Sequence, residues 1–98
     1  KFTVGTNIVD LTKHTLTSDR STYPLSYYET EILRLLHERI GDPVSRDELL
    51  EKIWGLGPNP NNRTVDNFVV KLRRKIEQNP SNPAHILTVY GFGYKLVD

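Results

Sequence analysis

The sequence predicts an α+β fold: a small N-terminal sheet, three helices and a C-terminal β-hairpin. Three observations predict it. Residues 1–25 alternate apolar and polar positions between turn signals. Two capping-box patterns, Ser26-Tyr27-Tyr28-Glu29 and Ser45-Arg46-Asp47-Glu48, each open a helical segment. Asn62–Gln78 then reads as one amphipathic helix, followed by two strand-like runs around a Gly-Phe-Gly turn.

The elements come in this order. Phe2 and Val4, then Ile8, Val9 and Leu11, then Leu16, then Tyr23-Pro24-Leu25 mark short strands separated by Gly5-Thr6-Asn7 and Ser18-Asp19-Arg20-Ser21. Pro24 fits only a sheet edge or a strand end, because it has no N–H to give a ladder. A meander this small cannot stand alone in water, so its apolar face must pack on the helices that come after it. The first helix, capped by Ser26, carries Tyr28, Ile32, Leu35, Leu36 and Ile40 on one face, and Gly41 with Pro43 stops it. The second, about Arg46–Trp54, is capped by Ser45, with Val44 and Leu49 placed as a hydrophobic staple. It should bury Leu49, Leu50, Ile53 and Trp54 and end at Gly55. After the turn-rich connector Gly55–Asn61, Asn61 or Asn62 caps the third helix, which runs to about Gln78 before Asn79-Pro80-Ser81-Asn82-Pro83. Ile86-Leu87-Thr88-Val89 and Tyr94-Lys95-Leu96-Val97 form the closing hairpin. Three short helices and a hairpin make a winged helix-turn-helix. The expected division of the single 98-residue domain is 1–25 sheet, 26–78 trihelical core and 84–98 wing.

The third helix has two unlike faces. At about 100° per residue, Val65, Phe68, Val69, Leu72 and Ile76 fall on one side, and Arg63, Asn67, Lys71 and Arg74 on the other. Five of the 13 Lys and Arg residues lie in this segment, opposed only by Asp66 and Glu77, so it nets +3 in a chain that nets +1. Clustered positive charge points to a nucleic-acid partner more than total charge does.

Other function classes fall away. There is no cysteine, hence no disulfide framework, thiolate zinc site or Cys nucleophile, which fits a reducing cytoplasm. His14, His37 and His85 lack metal-ligand spacing, so no metal and no cofactor is expected. The acidic pairs Glu29/Glu31 and Asp47/Glu48 suit helix N-termini, and no nucleophile–base arrangement emerges, so the chain is not expected to be an enzyme. No apolar run is long enough to span a membrane and no signal peptide is visible. The chain opens on Lys1 rather than Met, as expected of a domain excised from a longer protein.

The sequence resembles the C-terminal effector domain of OmpR/PhoB-type response regulators. The matching pieces are Leu25-Ser26-Tyr27-Tyr28-Glu29, Val44-Ser45-Arg46-Asp47-Glu48-Leu49-Leu50, Trp54-Gly55, Arg63-Thr64-Val65-Asp66, Leu72-Arg73-Arg74-Lys75 and Thr88-Val89-Tyr90-Gly91-Phe92-Gly93-Tyr94. The resemblance implies a four-stranded N-terminal sheet, a third helix that reads the major groove of double-stranded DNA and a wing that touches the minor groove or the backbone. It associates the connector Gly55, Leu56, Gly57, Pro58 and Asn59 with contacts to RNA polymerase. It further implies tandem homodimeric binding to direct repeats and, in the intact protein, a phosphorylated receiver domain.

Side-chain chemistry then divides the roles. Asn reaches adenine N6/N7 and Lys reaches guanine O6/N7, so Asn67 and Lys71 are expected to read bases. Lys71 stands where the family often has an arginine, and it lacks the planar bidentate fork. Val70, in the middle of the polar face, is a candidate for a thymine methyl, whereas Phe68 belongs to the core edge. Arg63, Thr64, Arg73 and Arg74 are expected at phosphates, with an internal Asp66–Arg73 ion pair as the competing role for Arg73. Thr88 and Tyr94 are further phosphate candidates, and Tyr90, Phe92 and Lys95 are the remaining wing contacts. Tyr90 replaces an arginine found in several family members, which shifts specificity toward the helix. The reading of a different class is a protein-interaction module using Phe68, Val70, Tyr90 and Phe92 as an apolar surface.

Overall fold

The computed structural model describes residues 1–19, 21–55 and 60–98. Strands β1 (Phe2–Val4), β2 (Asn7–Asp10), β3 (Thr15–Thr17) and β4 (Thr22–Pro24) pair antiparallel in chain order. Val9 sits opposite both Phe2 and Leu16 in the ladder. Val4, Val9 and Leu16 are fully buried, while Ile8 points outward at 44% exposure. The period-2 alternation thus gives the sheet one core face, and Pro24 ends an edge strand, where its missing N–H interrupts nothing.

Helix α1 (Tyr27–Glu38) starts on a complete capping box: Glu29 N–H donates to Ser26 Oγ, and Ser26 N–H donates to the Glu29 carboxylate at 2.8 Å. The helix buries Ile32, Leu33, Leu35 and Leu36. Ile40, expected on its apolar face, lies beyond the helix end and is 45% exposed. Arg39 has already left helical geometry and turns its guanidinium to Glu48. Gly41, at φ +88°, then delivers its N–H to Leu96 O at 2.8 Å.

Strand β5 (Val44–Ser45) leads into α2 (Arg46–Leu49), which continues as a π-helical turn over Leu50–Trp54. The sequence predicts one regular helix across Arg46–Trp54. The wider last turn instead brings Trp54 onto Tyr28 as a stacked pair, ring centroids 4.6 Å apart, with Phe68 closing the cluster at 5.7 Å from Trp54. Leu49 is fully buried, whereas Leu50, Ile53 and Trp54 pack on the core only in part. The second capping box forms by half. Glu48 N–H donates to Ser45 Oγ at 3.0 Å, but the Glu48 side chain serves Arg39 and Lys52.

That redirection has a measurable consequence. The Arg39 guanidinium first, and the Lys52 ammonium after it, hold the Glu48 carboxyl down to about 2. Stability from a depressed carboxyl is fully present above the unfolded value near ~4.3 and disappears as pH falls through the folded value. Thermal melts of Glu48→Gln should therefore vary less with pH than wild type between about pH 4.3 and 2. Parallel curves for the two proteins would refute this role for Glu48.

Helix α3 (Asn62–Ile76) is capped by Asn61, whose side chain accepts Thr64 N–H at 3.2 Å. It ends two residues before the expected Gln78, because Glu77 turns extended and its buried carboxylate accepts the N–H groups of Ala84, His85 and Ile86. The hairpin follows as β6 (Ile86–Val89) and β7 (Gly93–Leu96). Gly91 takes φ +73° in its turn, a conformation glycine adopts without the usual Cβ clash. The wing sheet has a third strand that the sequence did not announce: β5 pairs with β7, giving the order β5-β7-β6. Two residues are too few to show any periodicity. The sheet, α1, α2, α3 and β7 share one core running from Val4 to Leu96.

Candidate nucleic-acid interface

Four side chains of α3, Val65, Val69, Leu72 and Ile76, are buried. The opposite face carries Arg63, Asn67, Val70, Lys71 and Arg74, all exposed. Val70, at 44% exposure, is an apolar spot amid polar neighbours. Phe68 sits at the boundary, with its ring 5.5 Å from Tyr28 and the Lys71 ammonium 4.9 Å above it. This cation–π contact aims the Lys71 stem while its charge stays at the surface. Thr64 is half-buried and its hydroxyl accepts Asn61 N–H at 3.3 Å, so it also completes the helix cap.

The helix is anchored from both neighbours. Asn7 Nδ2 donates to Val4 O and, at 3.0 Å, to Ile76 O, so the N-terminal sheet holds the C-terminal end of α3. Lys75 Nζ donates to the Glu29 carboxylate at 2.9 Å and to Pro24 O at 3.0 Å, tying α3 to the start of α1. Burial pushes the Glu29 carboxyl up, but the Ser26 N–H and the Lys75 ammonium outweigh it and hold it below the ordinary value. Lys75 is therefore a structural cation, although the sequence counts it with the basic cluster.

Besides Thr64, three expected phosphate ligands, Arg73, Thr88 and Tyr94, have partners inside the domain. Arg73 does not pair with Asp66. Its Nε and a terminal nitrogen donate to Ile86 O at 3.0 and 2.8 Å, and the same terminal nitrogen donates to Thr88 Oγ1 at 2.9 Å. Tyr94, expected at a phosphate, is 4% exposed, and its hydroxyl donates to Asp66 at 2.5 Å. Asp66 takes its ion pair from Arg46, whose Nε lies 2.8 Å away. Burial pushes the Tyr94 phenol up, and the Asp66 carboxylate adds to it. Arg46 gave no sequence signal. It stands in the sequence only as the first residue of a capped helix, and the fold brings it to Asp66.

At the wing tip, Tyr90 is 91% exposed and Phe92 49%. Lys95 is half-buried on β7, opposite Leu87. Of the connector residues linked to RNA polymerase, Gly55 ends the π-helical turn at φ +74°, and Leu56, Gly57, Pro58 and Asn59 lie outside the described residues. Among the described residues no three His, Asp or Glu side chains converge as metal ligands, and no helix is long and apolar enough to cross a membrane. The histidines have structural surroundings: His14 Nδ1 meets Thr30 Oγ1, His37 stacks on Phe2, and His85 lies against Val97 O.

A trihelical core with a basic outer helix face beside a β-hairpin defines a winged helix-turn-helix. Residues 20–96 match the family model "Transcriptional regulatory protein, C terminal", and the chain belongs to that family, in its OmpR/PhoB-type branch. SphR, the alkaline phosphatase synthesis transcriptional regulatory protein of Synechococcus elongatus, is 49% identical over 72 residues, 74% of this chain and 28% of SphR. The response regulator DrrB of Thermotoga maritima, an OmpR/PhoB homologue, superposes with a TM-score of 0.87 at 33% identity, covering 99% of this chain and 44% of DrrB. The DNA-binding domain of Klebsiella pneumoniae RstA, solved in complex with the RstA box, has a TM-score of 0.81 at 26% identity over 98% of this chain and 95% of that one. The chain thus spans less than half the length of SphR and DrrB.

Proposed function

We propose that residues 1–98 act as one DNA-reading domain of a transcriptional regulator of two-component type. Helix α3 enters the major groove, and the wing lies against the minor groove or the backbone. The observation that carries this reading is the composition of one surface: Arg63, Asn67, Val70, Lys71 and Arg74 are exposed on a single helix face, while Asp66, the acid within α3, is engaged by Arg46. The DNA complex of RstA, a protein of the same fold, supports it. Asn67, Val70 and Lys71 read bases, and Arg63, Thr64 and Arg74 hold phosphates. Membership of the OmpR/PhoB type suggests tandem homodimers on direct repeats, and a repeat spacing of about one helical turn is consistent with general helix-turn-helix geometry. Contact of the Gly55–Asn59 connector with RNA polymerase, a cytoplasmic location and the absence of catalysis belong to the same reading.

Gel retardation tests it. The domain should bind duplex DNA, with affinity falling steeply as salt rises. Lys71→Ala should cost ~1–3 kcal/mol on the preferred site and relax base preference there. Arg74→Ala should weaken binding to all sequences about equally and lower the salt slope by ~0.9. Absence of retardation on random duplex at low salt and micromolar protein would remove the DNA reading. It would favour the protein-interaction module, for which the exposed Tyr90, Phe92 and Val70 speak.

A further inference from the structure

We infer that Arg73 is a positioning residue that aims the wing, and that it does not hold a phosphate. The inference rests on the DNA reading above and extends it to how the two groove contacts are coupled. Arg73 directs Nε and one terminal nitrogen of its guanidinium to β6, where Ile86 O takes two N–H donors and Thr88 Oγ1 a third. Among the described residues β6 is an edge strand, paired only with β7 in the wing sheet. A guanidinium supplies such a set of bonds through a rigid planar fork, whereas an ammonium offers a point charge on a flexible stem.

The second wing strand is tied to the same helix. Tyr94 on β7 reaches Asp66 on α3 through its hydroxyl at 2.5 Å. The guanidinium carbons of Arg46 and Arg73 lie 5.6 and 5.5 Å from its ring centroid. Both strands of the hairpin are therefore bonded to α3, one through Arg73 and one through Asp66. The direction of the tip relative to Asn67 and Lys71 is fixed before any ligand arrives.

The tip itself, Val89-Tyr90-Gly91-Phe92-Gly93, carries no cation. The helix contact is salt-sensitive because it releases counterions, whereas an aromatic tip against deoxyribose or a base step releases almost none. Loss of wing alignment therefore lowers affinity without lowering the salt slope. Loss of a phosphate ligand lowers both.

The test uses this chain and a duplex selected from a random-sequence pool. Arg73→Lys keeps the charge and removes the fork. It should weaken binding roughly tenfold, the scale of one interface contact. Its log–log salt slope should stay at the wild-type value, and its hydroxyl-radical footprint should lose protection at the wing while keeping that of α3. Tyr90→Ala should add little in the Arg73→Lys background, because neighbouring changes acting through one contact do not add. Thr88→Val removes one Arg73 acceptor and should reproduce the pattern in weaker form, which covers the case of an Arg73 variant that does not fold. Near wild-type affinity for Arg73→Lys, or a slope reduced by ~0.9 in Arg73→Ala with the wing footprint intact, would overturn the inference and leave the DNA reading standing. Failure of the wild-type chain to bind any duplex would overturn both.

Discussion

Gly93→Ala should lower the stability of the domain by about 3 kcal/mol, the upper range for forcing a methyl into packed structure. A Cβ at Gly93 would stand 2.0 Å from Val44 O, 2.9 Å from Ser45 Cα and 3.0 Å from Arg46 N. All three are backbone atoms, so no flexible side chain can swing away. The only relief is to part β5 from β7, which also displaces Ser45, the cap of α2. For a domain of this size the melting temperature should fall by roughly 15 °C. Gly91→Ala makes the internal control, since a methyl there meets nothing within 4 Å and only the φ of +73° opposes it. Its cost should be about 1–2 kcal/mol. Equal melting temperatures for the two variants would show that the β5–β7 contact yields more easily than its geometry implies.

Glu77→Ala should cost a similar amount for an electrostatic reason. The Glu77 carboxylate is buried at 7% exposure and accepts from Ala84 N–H at 2.8 Å, His85 N–H at 3.1 Å and Ile86 N–H at 2.8 Å. Removing it leaves the inner donors without an acceptor, at about 1–3 kcal/mol for a buried group. The total should approach ~3 kcal/mol in denaturant titrations, with Glu77→Gln intermediate because an amide oxygen retains part of the acceptor capacity. A loss below ~0.5 kcal/mol for the alanine variant would mean that water replaces the carboxylate at little cost.

Legibility in the sequence tracks how local each signal is. The caps at Ser26 and Ser45 and the amphipathic split of α3 depend on residues within one or two turns, and periodicity displays them, whereas α1 ends at Glu38, ahead of the expected stop at Gly41. The outer face of α3 was legible for the same reason: once the apolar side is known, Arg63, Asn67, Val70, Lys71 and Arg74 have only one direction left. The partners of Arg73, Tyr94, Lys75 and Glu77 were hidden because each is set by the tertiary fold: Ile86, Asp66, Glu29 and Ala84 respectively. Helical position made an Asp66–Arg73 pair plausible, but Arg46, from another helix, occupies Asp66. The π-helical turn at Leu50–Trp54 was hidden likewise, because the ring contacts of Trp54 with Tyr28 and Phe68 that accompany it come from other helices.

The pairing of Val44 with Tyr94 joins positions 50 apart in the chain, and Gly41 donates to Leu96 across a comparable span. Such distant closures are slow, because a long loop must be ordered before its contacts offset the lost entropy. During synthesis, α3 is complete long before the strand that locks α2 and the wing has emerged. A nascent chain stopped ahead of Gly93 lacks Tyr94 and Leu96 from its core and has an open sheet edge at Val44. Interrupted translation products should therefore remain loosely folded and open to proteases, and ordered tertiary structure should arrive with the last strand.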